Sequence, residues 1–163
     1  MEPQIIQIPA LKVVGLGAQF VSILSPNKSN MSVIPQLWDQ FVKRQDEIKN
    51  RIPGPSYGLV EMLPPGATKS DPDELYYIAC TGVTDFSDIP RGMINRSIPE
   101  GKYAKFTHKG MLNTLGETAS FIYKQWVPNS KTKLRGGPHI EVYDQRFNPH
   151  SNESEFDICL PLQ

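Results

Sequence analysis

The apolar residues of this chain recur in two rhythms, one of strands and one of helices. Residues 4–23 are rich in Ile, Val, Leu and Phe and are broken by Pro9, Gly15 and Gly17. This predicts a strand with a bend at the glycines, since glycine inside a strand marks a bulge or a close approach. After the turn-forming stretch SPNKSN, apolar side chains fall at Ile34, Leu37, Trp38, Phe41 and Val42. That is the i, i+3, i+4, i+7 spacing of an amphipathic helix. Ser32 is the predicted N-cap, and Pro35 lies in the first turn, where its missing N–H is tolerated. Pro53-Gly54-Pro55 ends the element. Strands are predicted over 57–63 and 75–83, joined by PPGATKSDPDE, which is almost entirely turn chemistry.

The order then begins again. Residues 103–108 read as a strand. Leu112, Leu115, Ala119, Ile122, Tyr123 and Trp126 form a helical stripe, opened by a Thr114-x-x-Glu117 capping box and stopped by Pro128. Residues 140–143 and 155–160 supply two further strands. Strand–helix–strand–strand thus occurs twice, and Ile8-Pro9-x-x-Lys12 recurs 90 positions later as Ile98-Pro99-x-x-Lys102. The expectation is one domain over 1–163, with a first repeat about 1–84, a link about 85–97 and a second repeat about 98–163. Two such halves pack with their strands together and their helices on one side. A groove between them is a natural ligand site.

Composition narrows the partners. Seventeen basic residues balance 17 acidic ones, so the formal charge is zero. A protein that grips duplex nucleic acid carries a basic surplus to displace counterions, and this chain has none. Neither a polybasic membrane surface nor an acidic tail is present. The apolar run 13–24 contains Gln19, Gly15 and Gly17 and is shorter than the roughly 20 residues a membrane span needs. The N-terminus lacks the pattern of a secretory signal. Cys80 and Cys159 lie 79 residues apart in apolar runs, with no metal-ligand spacing, and read as reduced core thiols in a cytoplasmic protein. Fifteen prolines, spread among apolar runs, read as punctuation between short elements.

Chemistry concentrates on one stretch. In His139-Ile140-Glu141-Val142-Tyr143, alternation puts Ile140 and Val142 on one face and His139, Glu141 and Tyr143 on the other. With Ile140 and Val142 under the helices, Glu141 and Tyr143 point to the opposite face. A half-exposed strand with Glu141 in water gives the same pattern. In an aromatic-lined groove, the carboxylate would instead neutralise a lipophilic cation whose rings lie on Tyr or Trp faces. Trp38 and Trp126 sit on the apolar stripes of their helices, which favours core packing for each. Tyr76 and Tyr77 point to opposite faces, and Tyr77 is assigned to the groove. His139 shares the face of Glu141, so an acid/base pair is conceivable there, although no nucleophile is recognisable. Nucleophile-elbow, phosphate-loop and dinucleotide motifs are missing, so neither a catalytic residue, a metal nor a cofactor is expected.

The second half resembles the GyrI-like small-molecule-binding domain, which is also the effector-binding domain of AraC-type and MerR-type multidrug-responsive regulators. The likeness rests on Ile98-Pro99-x-Gly101-x-Tyr103-Ala104-x-Phe106-Thr107-His108-x-Gly110, on Tyr123-x-x-Trp126-Val127-Pro128, on Gly137-Pro138-His139-Ile140-Glu141-Val142-Tyr143-Asp144 and on Ile158-x-Leu160-Pro161-Leu162. The first half agrees more loosely, in Tyr57-Gly58 and Tyr76-Tyr77-Ile78-Ala79-x-x-Gly82-Val83. The resemblance implies an α+β fold, a duplicated β-α-β-β repeat with an antiparallel curved sheet and a ligand groove between the halves. It implies that Glu141 meets lipophilic cations in that groove, with Tyr143, Tyr77, Trp126, Trp38 and His139 as further ligand-binding candidates. A stand-alone binder of cationic drugs, similar to proteins of mobile gene cassettes, is the expected function. The alternatives are a hydrolase using the same glutamate, or a module that contacts a separate regulator or DNA gyrase.

Overall fold

The computed structural model describes residues 1–163. Eight strands form one antiparallel sheet: β1 (Gln4–Ile8), β2 (Leu11–Val21), β3 (Arg51–Glu61), β4 (Glu74–Val83), β5 (Ile94–Ile98), β6 (Gly101–Lys109), β7 (His139–Tyr143) and β8 (Glu155–Pro161). Helix α1 (Asn30–Arg44) follows β2, and α2 (Leu115–Ser120) follows β6. The fold is the expected α+β arrangement. The strand order, β1-β6-β8-β7-β3-β4-β2-β5, maps onto itself when the two halves are exchanged. Register obeys the same symmetry: Ile8 pairs with Gly101, and Ile98, 90 positions on, pairs with Leu11.

The first strand and the link between the halves both differ from the sequence expectation. The single bent strand over 4–23 is two strands, broken at Pro9-Ala10 and continuous through Gly15 and Gly17. The segment read as a link contains β5, so each half has one extra short strand ahead of its helix. These short strands pair crosswise, β1 with β6 of the second half and β5 with β2 of the first.

That exchange dictates the shape of the sheet. β1 and β2 stand six positions apart in the strand order, which in a flat sheet is roughly 29 Å. Only Pro9 and Ala10 join them, and three Cα–Cα steps span at most about 11 Å. The sheet therefore curls until its outer edges meet. Inside the curl lies a core built from strands alone, including Val13, Leu59, Ile78, Cys80, Ile98, Tyr103, Ile140 and Cys159.

The other face carries the helices. Leu37 and Phe41 of α1 pack on Val14, Phe20, Tyr77 and Ala79, each burial being worth roughly 2 kcal/mol. Val42, on the predicted stripe, is exposed. The α1 N-cap is Ser29, three residues before Ser32, and Pro35 falls inside the helix. Ser29 fastens the preceding loop instead of the helix, because its Oγ accepts the Val21 N–H at 2.8 Å. Pro53-Gly54-Pro55 lies within β3, where pairing with β4 is interrupted between Arg51 and Ser56.

The second helical stripe is not one helix. A 3-10 turn (Leu112–Thr114) leads into α2, then a π-helical stretch (Phe121–Trp126), then a short helical turn (Val127–Asn129). The Val127 N–H reaches back to Ile122, and Pro128 contributes no N–H to a tighter register. Thr114 caps nothing through its side chain; its hydroxyl donates to the Met111 carbonyl. Both cysteines are free and buried, and burial pushes their thiols up, that of Cys159 to about 12. No helix is long and apolar enough to cross a membrane.

Candidate functional site

Ile140 lies in the strand-only core and Val142 packs against it, not under the helices. The sequence reading of β7 is therefore inverted, because the curl gives the helix-free face a core of its own. His139, Glu141 and Tyr143 consequently face the helix side, where α1 and α2 leave a gap between the two halves. A cavity of about 310 Å³ fills it, lined by Asn30 and Ile34 of α1, Leu115 and Ala119 of α2, and Tyr123, and floored by Val60, Leu75, His139, Glu141 and Ile158. This matches the lower end of small-molecule sites.

Glu141 is enclosed by protein on every side but the cavity. Tyr77 and Tyr143 both donate their hydroxyls to its Oε1, at 2.7 and 2.9 Å. Trp38 donates its indole N–H to the Tyr77 oxygen at 3.0 Å, so the side chain that holds the carboxylate is itself held. Oε2 receives no hydrogen bond from the protein, although Glu141 lines the cavity. Burial raises the Glu141 carboxyl above the ordinary range, and the two phenols pull it partly back. Both phenols are pushed well up, chiefly by burial and then by the neighbouring carboxylate. Glu61, the other carboxylate of the cavity wall, is clamped by Arg96 at 2.6 Å. The uncompensated negative charge is that of Glu141.

Tyr123 and His139 form the adjoining wall. Their rings stack at 5.6 Å with planes 7° apart, and the Tyr123 hydroxyl is hydrogen-bonded to Nδ1 of His139 at 2.8 Å. Burial presses the His139 pKa down to about 4, so the imidazole is neutral and adds no charge to oppose a cation.

Of the residues singled out from sequence, Glu141 and His139 line the cavity, and Tyr77, Tyr143 and Trp38 form the hydrogen-bonded frame behind Glu141. Trp126 stands elsewhere, edge-on to Phe106 in the core of the second half. Three residues of the site escaped the sequence reading. Tyr123 counted as a member of an apolar stripe and of the family likeness, and not as a site residue. Gly58 sits opposite Glu141 in the β3–β7 pairing, and a Cβ there would lie 2.0 Å from the Tyr77 hydroxyl and 2.6 Å from Glu141 Oε1. A glycine inside a predicted strand was the available signal. Asn30 carried no signal at all.

A duplicated fold with a drug-sized apolar cavity between its halves, and one half-buried uncompensated carboxylate in the wall, defines a small-molecule-binding domain. The GyrI-like small-molecule-binding domain family matches residues 1–163, and the chain belongs to that family. It is 33% identical over 164 residues to the transcriptional regulator BrlR of Pseudomonas aeruginosa, covering 99% of this chain and 56% of that protein. The chain thus spans little more than half the length of that curated relative. Among solved structures, it resembles SAV2435 bound to tetraphenylphosphonium, with a TM-score of 0.70 and 16% identity over 100% of this chain and 94% of that one. It also resembles the integron cassette protein VCH_CASS2 from the mobile metagenome of Vibrio cholerae, with a TM-score of 0.63 and 16% identity over 99% of this chain and 96% of that one.

Proposed function

We propose that this domain captures flat lipophilic cations in the cavity between α1 and α2, with Glu141 as the countercharge. The observation that carries the reading is the state of Glu141 itself: Oε1 is held by two phenols, while Oε2 lacks a donor in an apolar chamber. An isolated buried carboxylate is costly, and an organic cation laid against Oε2 removes that cost while its rings bury apolar surface. The frame of Trp38, Tyr77 and Tyr143 fixes the carboxylate before the ligand arrives, which reduces the entropy lost on binding. Leu75, Leu115, Ala119, Ile158 and the Tyr123 face recognise area instead of a particular outline, so the expected selectivity is for charge and flatness. SAV2435 in complex with tetraphenylphosphonium supports a cationic ligand, and the likeness to BrlR supports a role for the bound molecule as an effector of transcription.

Fluorescence titration with a cationic dye, in the parent protein and in Glu141→Gln, tests this. Glutamine keeps the size and the acceptor for both phenols but carries no charge. The expected loss of affinity is at least about 30-fold, as for removal of one member of a buried charge pair. A neutral dye of the same outline loses little. The dye is recovered chemically unchanged, as mass spectrometry would show. Equal affinity of parent and variant for the cationic dye contradicts the reading.

A further inference from the structure

His139 carries one ring nitrogen that nothing in the protein uses. Its Nδ1 meets the Tyr123 hydroxyl at 2.8 Å, while Nε2 has no hydrogen-bond partner. Nε2 is not sealed in, since the only enclosed side-chain nitrogen or oxygen without a partner is Oδ1 of Asn30. His139 is half-buried and lines the chamber, so Nε2 opens onto that space. Tyr123 stands in the π-helical stretch, a widened turn of the kind that recurs at functional sites. The imidazole is neutral, which leaves one ring nitrogen protonated and the other bare. Tyr123 decides between them, because its hydroxyl has no second partner. With the proton on Nδ1, the phenol proton and a bare Nε2 would both lack partners. With the phenol donating to a bare Nδ1, only the Nε2 proton is left over. That pairing is also the stronger one, since the phenol is the better acid and the imidazole the better base.

The chamber thus presents two polar atoms to a ligand, an acceptor at Glu141 Oε2 and a donor at His139 Nε2. Residues two apart on one face of a strand stand roughly 7 Å from each other. We infer that the chamber is built for aromatic cations that also carry a hydrogen-bond acceptor, such as a carbonyl oxygen, at about that distance from the charge. His139 is the residue that reads the acceptor, with the Tyr123 hydroxyl holding its other nitrogen. That assignment rests on the proposed role of Glu141 and names the ligand class for that site. A cation of hydrocarbon alone answers the carboxylate but strands the imidazole N–H. Hydrogen-bonding sites discriminate against ligands that lack the matching group for that reason.

Two cations of one outline test this apart from the role of Glu141. One is an N-methylquinolinium ion with an acetyl group on its carbocyclic ring, at a position that matches the strand spacing. The other is its analogue with a methylene group in place of the carbonyl oxygen. Affinities are measured by titration calorimetry in the parent, in His139→Asn, in His139→Gln and in Glu141→Gln. His139→Asn keeps an acceptor for Tyr123 but stops short of the Nε2 position, whereas His139→Gln carries an amide N–H out to it. The parent is expected to prefer the acetyl cation by about fivefold to tenfold, as one neutral hydrogen bond allows. His139→Gln keeps that preference and His139→Asn reduces it to less than about twofold, while affinity for the analogue, unchanged, reports an intact site. Nitrogen NMR of the imidazole tells a protonated ring nitrogen from a bare one, and the proton is expected on Nε2. A proton on Nδ1, no preference in the parent, or His139→Asn and His139→Gln behaving alike overturns the assignment to His139. Glu141 still stands in that event if Glu141→Gln weakens both cations. If Glu141→Gln binds both as the parent does, the reading of the site fails, and the role of His139 falls with it.

Discussion

Burial and the phenols of Tyr77 and Tyr143 act on Glu141 in opposite directions, and burial wins. Its carboxyl is therefore protonated at a higher pH than an exposed one. Cation binding needs the charged form, so affinity declines as pH falls through that raised value, and binding near it releases protons. Calorimetry in buffers of different ionisation heat measures that release directly, and its absence contradicts the assignment. Stability responds to the same shift. Between the ordinary and the raised value the folded protein holds a proton that the unfolded chain has lost, so stability declines as pH rises through this window. Glu141→Gln removes the decline and unfolds at a slightly higher temperature at pH 7. His139 works the other way. Its folded pKa of about 4 lies below the value of 6.5 for a free imidazole, so the unfolded chain takes up the proton first. Stability is therefore lost as pH falls from 6.5 towards 4, by up to about 3 kcal/mol at the lower limit. Thermal melts of His139→Gln across that range should lack this slope.

At the scale of elements, β3 and β7 decide whether the carboxylate can be held at all. Gly58 leaves the space in which the Tyr77 hydroxyl meets Glu141. Gly58→Ala drives a methyl group into both, at a cost of roughly 1–3 kcal/mol, as for other overpacked sites. Denaturant melts should show that destabilisation, together with weaker dye binding, because Oε1 loses the Tyr77 hydroxyl, one of its two phenol donors. Unchanged affinity would mean that the frame behind Glu141 does not govern the site. Most elements were legible from spacing, since β4, β6, β7 and β8 are short apolar runs and α1 has a clear stripe. The π stretch at Phe121–Trp126 was not, because one widened turn leaves the apolar positions of a helix almost where they were. The face of β7 was misread for a different reason. Alternation tells two faces apart without saying which one the helices cover, and Ile140 satisfies a core on either.

For the whole molecule, the exchange of β1 and β5 between the halves is the organising feature. Residues distant in sequence had to be brought together before the sheet edges could be seen to meet, which is why the curl, unlike the duplication, was hidden. Because each half finishes the other's outer edge, neither is an independent unit, and the domain should unfold in one cooperative step. Circular dichroism and tryptophan fluorescence, the latter reporting Trp38 in the first half and Trp126 in the second, should trace the same curve. Two separated transitions would contradict this. The same association of halves creates the chamber between α1 and α2, so the ligand site belongs to the assembled domain and to neither repeat alone. The proposed function puts the cation at Glu141, inside that chamber. The most direct test is a crystal structure of the domain with a bound cationic dye. The dye is expected between α1 and α2, with its charged centre within about 4–6 Å of Glu141 Oε2. A dye bound on the helix-free face, or in the chamber with its charge turned away from Glu141, would contradict it.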